Sequence, residues 1–200
     1  MAQVEFFFDL VSPYSYLAHY ELQKIAARYK ADIIWRPVLL GAILKETGNI
    51  APIQVPAKGR YMLHDLQKWA AHYQLPFQMN PFFPINTVQL MRGALAMQQE
   101  GQAAFLHYLD AVYKAMFVAP RNLNDPQEVI ATLQDAGLDP ALMQKRMAED
   151  EIKNKLRAET EEAVARGVFG APTFFVDQEM YWGQDRLLFV EEALKNCKKI

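Results

Sequence analysis

Ser12-Pro13 stands between the apolar run Val4-Glu5-Phe6-Phe7-Phe8 and a stripe of apolar residues at helical spacing: Ala18, Leu22, Ile25, Ala26 and Tyr29. A serine before a proline at such a point starts a helix. Its oxygen accepts from the free N–H groups of the first turn, and proline suits the first helical position because it has no N–H to leave unpaired. The same grammar recurs at Asp125-Pro126 and Asp139-Pro140, where nothing points to catalysis. Serine differs from those aspartates in one respect. An ionised carboxylate only accepts hydrogen bonds, whereas a hydroxyl also has a proton to donate. A helix N-terminus favours an anion through its dipole and unpaired N–H groups, so Ser12 would assist an anion there and an aspartate would repel it. No motif sets a histidine base beside Ser12, so the residues do not make it a nucleophile. Capping and anion holding both stay open.

A second proline, Pro172 in Gly170-Ala171-Pro172-Thr173, precedes the strand-like Thr173-Phe174-Phe175-Val176. It is either an ordinary proline entering an edge strand or part of a loop that presents the backbone of Ala171 to an extended ligand. Other chemistry is absent. The chain has no GxGxxG after a strand, no GxxxxGK[ST], no GxSxG and no HExxH. His19, His64, His72 and His107 lack ligand spacing and are expected on helix surfaces or partly buried, so no metal site is expected. The single cysteine, Cys197, excludes an internal disulfide and a cysteine redox pair.

These residues need elements to hold them. The chain opens as strand, helix, strand: Val4–Phe8, the stripe after Pro13, then Asp32 to Leu40, with Pro37 marking the second strand's end. From about 42 the grammar is helical. Stripes run through Met62, Leu66, Trp69, Ala70 and Tyr73, and through Phe105, Leu109, Val112 and Met116. One helix is expected to close at Gly101 and another at Gly167, with starts at Asp125 and Asp139. The end returns to two short strands, "PTFFVD" and "MYWG", and a closing helix from Asp185. The expected fold is α/β, a thioredoxin-like domain (1-41 and 162-200) interrupted by an all-helical insertion (42-161).

With 52% hydrophobic and 22% charged residues, the 200-residue chain can bury a core. Its net charge of −2 and pI near 6.1 lack the footprint of a nucleic-acid binder. "KNCKK" near the C-terminus reads as a solvated helix end. No basic flank precedes an apolar run at the start and no stretch of about 20 apolar residues occurs, so neither a signal segment nor a membrane span is expected. A soluble, cytoplasmic protein is the expectation.

Taken together, "FFFDLVSPYSYLA", "GNIAPIQVPAKGRYMLHDLQKWA", "NPFFPINTVQLMRGAL" and "ARGVFGAPTFFVDQEMYWGQDRL" resemble the 2-hydroxychromene-2-carboxylate isomerase family, relatives of the kappa-class glutathione transferases. The resemblance covers nearly the whole chain. It implies a thioredoxin-like domain split by a helical one, glutathione bound between them, a homodimer, and a cis bond before Pro172. Disulfide oxidoreductases of similar architecture carry Cys-x-x-Cys where this chain reads Ser12-Pro13-Tyr14-Ser15, so the sulfur must come from glutathione.

By that resemblance Ser12 donates to the glutathione sulfur and Ala171, before Pro172, pairs with the ligand's cysteinyl backbone. Gln184 and Asp185 meet its γ-glutamyl end, although Asp185 also reads as a helix cap. Kappa-type relatives commonly have Ser-Asp here, so Gln184 departs from the pattern. Lys58 and Asn49 match polar positions lining the family's site, with Lys58 assigned to glutathione and Asn49 to substrate. Lys45 is a further candidate for the substrate carboxylate. The implied reaction interconverts 2-hydroxychromene-2-carboxylate and trans-o-hydroxybenzylidenepyruvate by reversible thiolate addition, leaving glutathione unconsumed. Lowering a thiol pKa from about 8.5 to about 7 needs roughly 2 kcal/mol, which a helix N-terminus and one charge-assisted hydroxyl bond can supply. The alternatives are a kappa-type transferase or peroxidase that consumes glutathione, and a non-catalytic glutathione-binding protein.

Overall fold

A computed structural model describes residues 2–197. The terminal Lys198-Lys199 of the basic "KNCKK" end lies outside that range. Four strands form one sheet: β1 (Gln3–Phe8), β2 (Asp32–Pro37), β3 (Thr173–Val176) and β4 (Glu179–Trp182), in the order β2-β1-β3-β4. β1 runs parallel to β2 across the helix α1 (Pro13–Tyr29), and antiparallel to β3, which pairs antiparallel with β4. β1 is therefore central, which explains its aromatic run. Phe6 and Phe8 point to one face and Phe7 to the other, and all three are fully buried.

The first face meets α1 and the last helix, α9 (Leu187–Cys197), through Leu22, Ile25, Val190 and Leu194. Phe6 and Phe174 stack there at 5.1 Å between ring centroids. On the second face Phe7 and Phe175 join Val38, Ile43 of α2 (Leu40–Thr47) and Ala163 of α8 (Asp150–Ala165). Between α2 and α8 the chain is helical: α3 (Pro56–Tyr73), α4 (Val88–Gln99), α5 (Gln102–Phe117), α6 (Pro126–Asp135) and α7 (Pro140–Met147). This is the expected α/β fold with a helical insertion. The insertion shares the main core with the sheet, since Leu66, Met91, Phe105 and Tyr113 belong to the same buried cluster as Phe6 and Trp35. Among the described residues, no helix is long and apolar enough to cross a membrane.

Three details refine or correct the sequence reading. The second strand stops at Pro37 as expected, but the helical part begins at Leu40, the start of α2, rather than at about 42. Gly101 follows the α4 cap Glu100, its N–H on the Gln98 carbonyl at 3.4 Å, and at φ +113° it is also the N-cap residue of α5. His19 is fully buried, its ring 5.2 Å from both Trp35 and Tyr113. Burial holds its pKa below the ordinary value despite Asp110, so its 3.3 Å contact with Asp110 is a hydrogen bond of a neutral ring.

The outer side of β1 carries an ion-pair cluster. Glu5 takes two bonds from Arg166, at 2.7 and 2.9 Å, and one from Arg36 at 2.9 Å. The Arg166 hydrogen bond above all, with Arg36, holds the Glu5 carboxyl below its ordinary value against the opposing effect of burial. A lowered carboxylate pKa stabilises above the unfolded value and loses that stabilisation as pH falls through the folded one. Glu5→Gln is therefore expected to cost about 1–2 kcal/mol at neutral pH and to lose less stability than wild type between about pH 5 and 3. Urea midpoints across that range check it.

Candidate functional site

Ser12 is the N-cap of α1, with extended backbone at φ −82° and ψ 114°. Its Oγ accepts from the Ser15 N–H at 3.1 Å, as the Ser-Pro grammar requires. The same hydroxyl donates to the carbonyl of Ala171 at 3.0 Å, bridging 159 positions of sequence. Both halves of its hydrogen-bonding capacity are thus in use. Ser15, at the other end of the Ser-Pro-Tyr-Ser motif, is fully buried, and its Oγ has no partner. Cys197 is at the far end of α9, beside Asp177 and away from this motif in sequence, so the helix start itself carries hydroxyls only.

The Ala171-Pro172 peptide is cis. The carbonyl of Pro172 accepts from Gly183 N–H at 3.0 Å, which ties the proline loop to the turn after β4. Gly183 holds φ +102°, and a Cβ there would lie 2.5 Å from Asp185 Oδ1, so a side chain is excluded on both counts. The 3-10 turn Gln184–Arg186 follows, and α9 begins only at Leu187. Asp185 therefore lies inside a turn and does not cap α9; its carboxylate pairs with Arg186 at 2.9 Å. Gln184 is buried, and its carbonyl accepts from Tyr73 Oη at 3.2 Å.

The helical insertion reaches this cluster along α3. Tyr14, in the first turn of α1, donates to Asp65 at 2.9 Å. Burial, and then Asp65, push the Tyr14 hydroxyl well above its ordinary pKa, with Asp185 adding to the effect. Tyr14 consequently stays a donor at neutral pH, and Asp65 and Asp185 both lie within electrostatic reach of it. Lys58 is exposed in the first turn of α3, seven residues before Asp65 and hence on the same side of that helix. Lys45 is exposed in the last turn of α2. Just beyond α2, Asn49 donates to the carbonyl of Phe169 at 3.0 Å, two residues before Ala171. Phe169 packs on the half-exposed Trp182, ring centroids 4.8 Å apart.

The arrangement can hold an anion at Ser12, an extended backbone at Ala171 and a cation near Asp65 and Asp185. A DsbA-like thioredoxin domain model matches residues 3–195 of the chain. The chain belongs to that family. Within it, the chain is 32% identical over 193 residues to a 2-hydroxychromene-2-carboxylate isomerase of Sphingobium xenophagum, covering 96% of this chain and 97% of that protein. It is also 32% identical over 205 residues to glutathione S-transferase kappa 1 of Homo sapiens, covering 96% and 90% respectively. A solved structure of a 2-hydroxychromene-2-carboxylate isomerase superposes with a TM-score of 0.88 at 27% identity, covering 98% of this chain and 96% of that one. The chain is an enzyme of this isomerase-like group of the DsbA-like thioredoxin family.

Sequence reasoning missed Tyr14, Asp65 and Tyr73 as parts of the cluster. Tyr14 was within the quoted motif but had no visible partner, because Asp65 lies 51 positions away. Asp65 interrupts the apolar stripe of α3 as an ordinary surface acid would. Phe169 and Trp182 read as parts of loop and strand, since their contact depends on how β4 returns along β3.

Proposed function

We propose that this enzyme binds glutathione at the start of α1 and uses it as a recycled catalyst to isomerise 2-hydroxychromene-2-carboxylate or a related aromatic carboxylate. The observation that carries the reading is the 3.0 Å bond from Ser12 Oγ to the Ala171 carbonyl. It brings a hydroxyl at a helix N-terminus against the backbone carbonyl that precedes the cis-proline, at a helix start that carries no cysteine.

The residues fit glutathione by an exchange of partners. An anionic sulfur at the helix start draws the Ser12 proton from Ala171, forming a charge-assisted bond stronger than the neutral one it replaces. The Ala171 carbonyl, once released, accepts from the backbone N–H of an extended peptide, so no buried polar group is left unpaired. Asp185 and Asp65 suit the α-ammonium of a γ-glutamyl group, and Tyr14 holds Asp65 in place. Bound glutathione supplies a thiolate that adds reversibly to a conjugated double bond, letting that bond turn while it is single. Lys45, in this reading, meets the substrate carboxylate, and Asn49 fixes the loop over the reacting end through Phe169. Lys58 faces the glutathione side. Trp182 and Phe169 offer an aromatic surface for the substrate ring.

Asp185→Asn is expected to weaken glutathione binding about tenfold by removing one charged partner of the ammonium group, with little change in fold stability. Calorimetric titration of both proteins measures it. The function itself is tested by stripping glutathione from the purified enzyme and returning either glutathione or S-methylglutathione. The reading expects no isomerisation without addition, restoration by glutathione, and binding without restoration by the methylated form. Activity in the stripped enzyme would overturn it. Loss of free thiol in step with substrate would instead support the consuming transferase.

A further inference from the structure

Three helix starts converge on one buried carboxylate. Asp9, at the end of β1, is 1% exposed. Its Oδ1 accepts from Val11 N–H at 3.0 Å, just before α1, and from Thr87 Oγ1 at 2.6 Å; Oδ2 accepts from Leu40 N–H at 2.8 Å. Its main-chain carbonyl accepts from Ser12 N–H at 3.0 Å.

α1 has its own cap in Ser12, but α2 and α4 lack side-chain caps of their own. The residue before α2 is Leu39, which has no side-chain acceptor, so Asp9 serves the first N–H of α2 from 31 positions away. Thr87 is the N-cap residue of α4, yet it makes no capping bond there and gives its hydroxyl to Asp9. A carboxylate at helix N-termini is favoured by their dipoles as well as by these donors. Burial pushes the Asp9 carboxyl up, and the bonds from Thr87, Val11 and Leu40 oppose that. Of the other titratable groups, the buried Tyr113 of α5 feels its charge.

We propose that Asp9 is a positioning residue that sets α2, and with it Lys45, against the Ser12 helix start, and so governs recognition of the substrate carboxylate rather than of glutathione. This rests on the proposed roles of Ser12 and Lys45. α2 has two anchors: Asp9 at its first residue, and Asn49 on Phe169 just past its end. Asp9 also touches the start of α1, but Ser12 N–H is held by its main-chain carbonyl, which a side-chain substitution leaves in place, and the proposed glutathione contacts on α1, the proline loop and the Gln184–Arg186 turn do not pass through α2. An amide in place of the carboxylate keeps the shape but loses one acceptor, so one of the N–H donors meets an NH2 group.

The test uses Asp9→Asn, with Thr87→Val and Thr87→Ser as gentler variants should the first fold poorly. Asp9→Asn is expected to raise KM for the aromatic carboxylate about tenfold, with kcat and glutathione affinity within about twofold of wild type. Thr87→Val should move KM in the same direction by less, and Thr87→Ser, which keeps the hydroxyl, should restore it. Amide exchange at Leu40 and Gly41 should accelerate in Asp9→Asn. An unchanged KM, or a loss of glutathione affinity as large as the rise in KM, overturns the proposal. If the wild-type enzyme binds glutathione yet turns over no hydroxychromene carboxylate, the functional reading falls. Exchange at Leu40 then decides for Asp9: faster exchange confined to the starts of α2 and α4 supports its positioning role, and unchanged exchange overturns it.

Discussion

Ser12→Ala is expected to bind glutathione with its thiol largely protonated at neutral pH and to turn over about tenfold more slowly than wild type. The helix dipole survives the substitution, but the charge-assisted bond does not. Removing that bond raises the bound thiol pKa by about one unit, at 1.36 kcal/mol per unit. The missing cap costs a further ~1 kcal/mol of stability, which must be kept apart from the catalytic effect. Ser12→Asp separates the two. Aspartate caps as Asp125 and Asp139 do in this protein, where each accepts from the N–H groups of its helix. It therefore preserves stability while repelling a thiolate, and the bound thiol pKa should rise further than in Ser12→Ala. Ultraviolet titration of the bound thiolate, with urea unfolding of each variant, measures both quantities. A Ser12→Asp protein with wild-type turnover would contradict the role of the hydroxyl.

Gly93→Ala is expected to destabilise the fold by about 3 kcal/mol. Gly93 of α4 faces Tyr108 of α5, and both are buried. An added Cβ would lie 2.7 Å from Tyr108 Cζ and closer still to its hydroxyl. That hydroxyl has nowhere to move without losing its 2.8 Å bond to the Leu90 carbonyl in a fully buried setting. Either the ring shifts and an acceptor goes unpaired, or α4 and α5 separate. Combining Gly93→Ala with Tyr108→Phe removes the closest atom, and the pair should be less destabilised than the sum of the two single variants. Chemical denaturation of the four proteins gives the coupling. A Gly93→Ala cost below about 0.5 kcal/mol would show that the two helices are not held as close as described.

Much of the fold was legible because its signals are local. The apolar, aromatic run Val4–Phe8, the Ser-Pro and Asp-Pro helix starts, and the two short strands after Pro172 each depend on neighbours a few residues away. The start of α2 at Leu40 was not legible, for a physical reason. Val38-Leu39-Leu40 is an apolar run with no local cap, and the group that starts the helix, Asp9, comes from another element. The same cause hid most of the site. Asn49 reaches across 120 positions to Phe169 and Tyr73 across 111 to Gln184, and neither has a partner visible in sequence. Asp185 looked like the cap of the last helix because it precedes an apolar stripe; the intervening 3-10 turn moves that start to Leu187. Ser12 could be read both ways from sequence, and in the structure its hydroxyl does accept from its helix while donating to the loop opposite.

The central claim is that the attacking sulfur belongs to glutathione, is held by Ser12, and is returned unchanged. Stripped enzyme supplied with hydroxychromene carboxylate and a trace of glutathione tests it most directly, with free thiol and product followed together. The account predicts many product molecules for each glutathione while free thiol stays constant; one glutathione lost for each substrate consumed would contradict it.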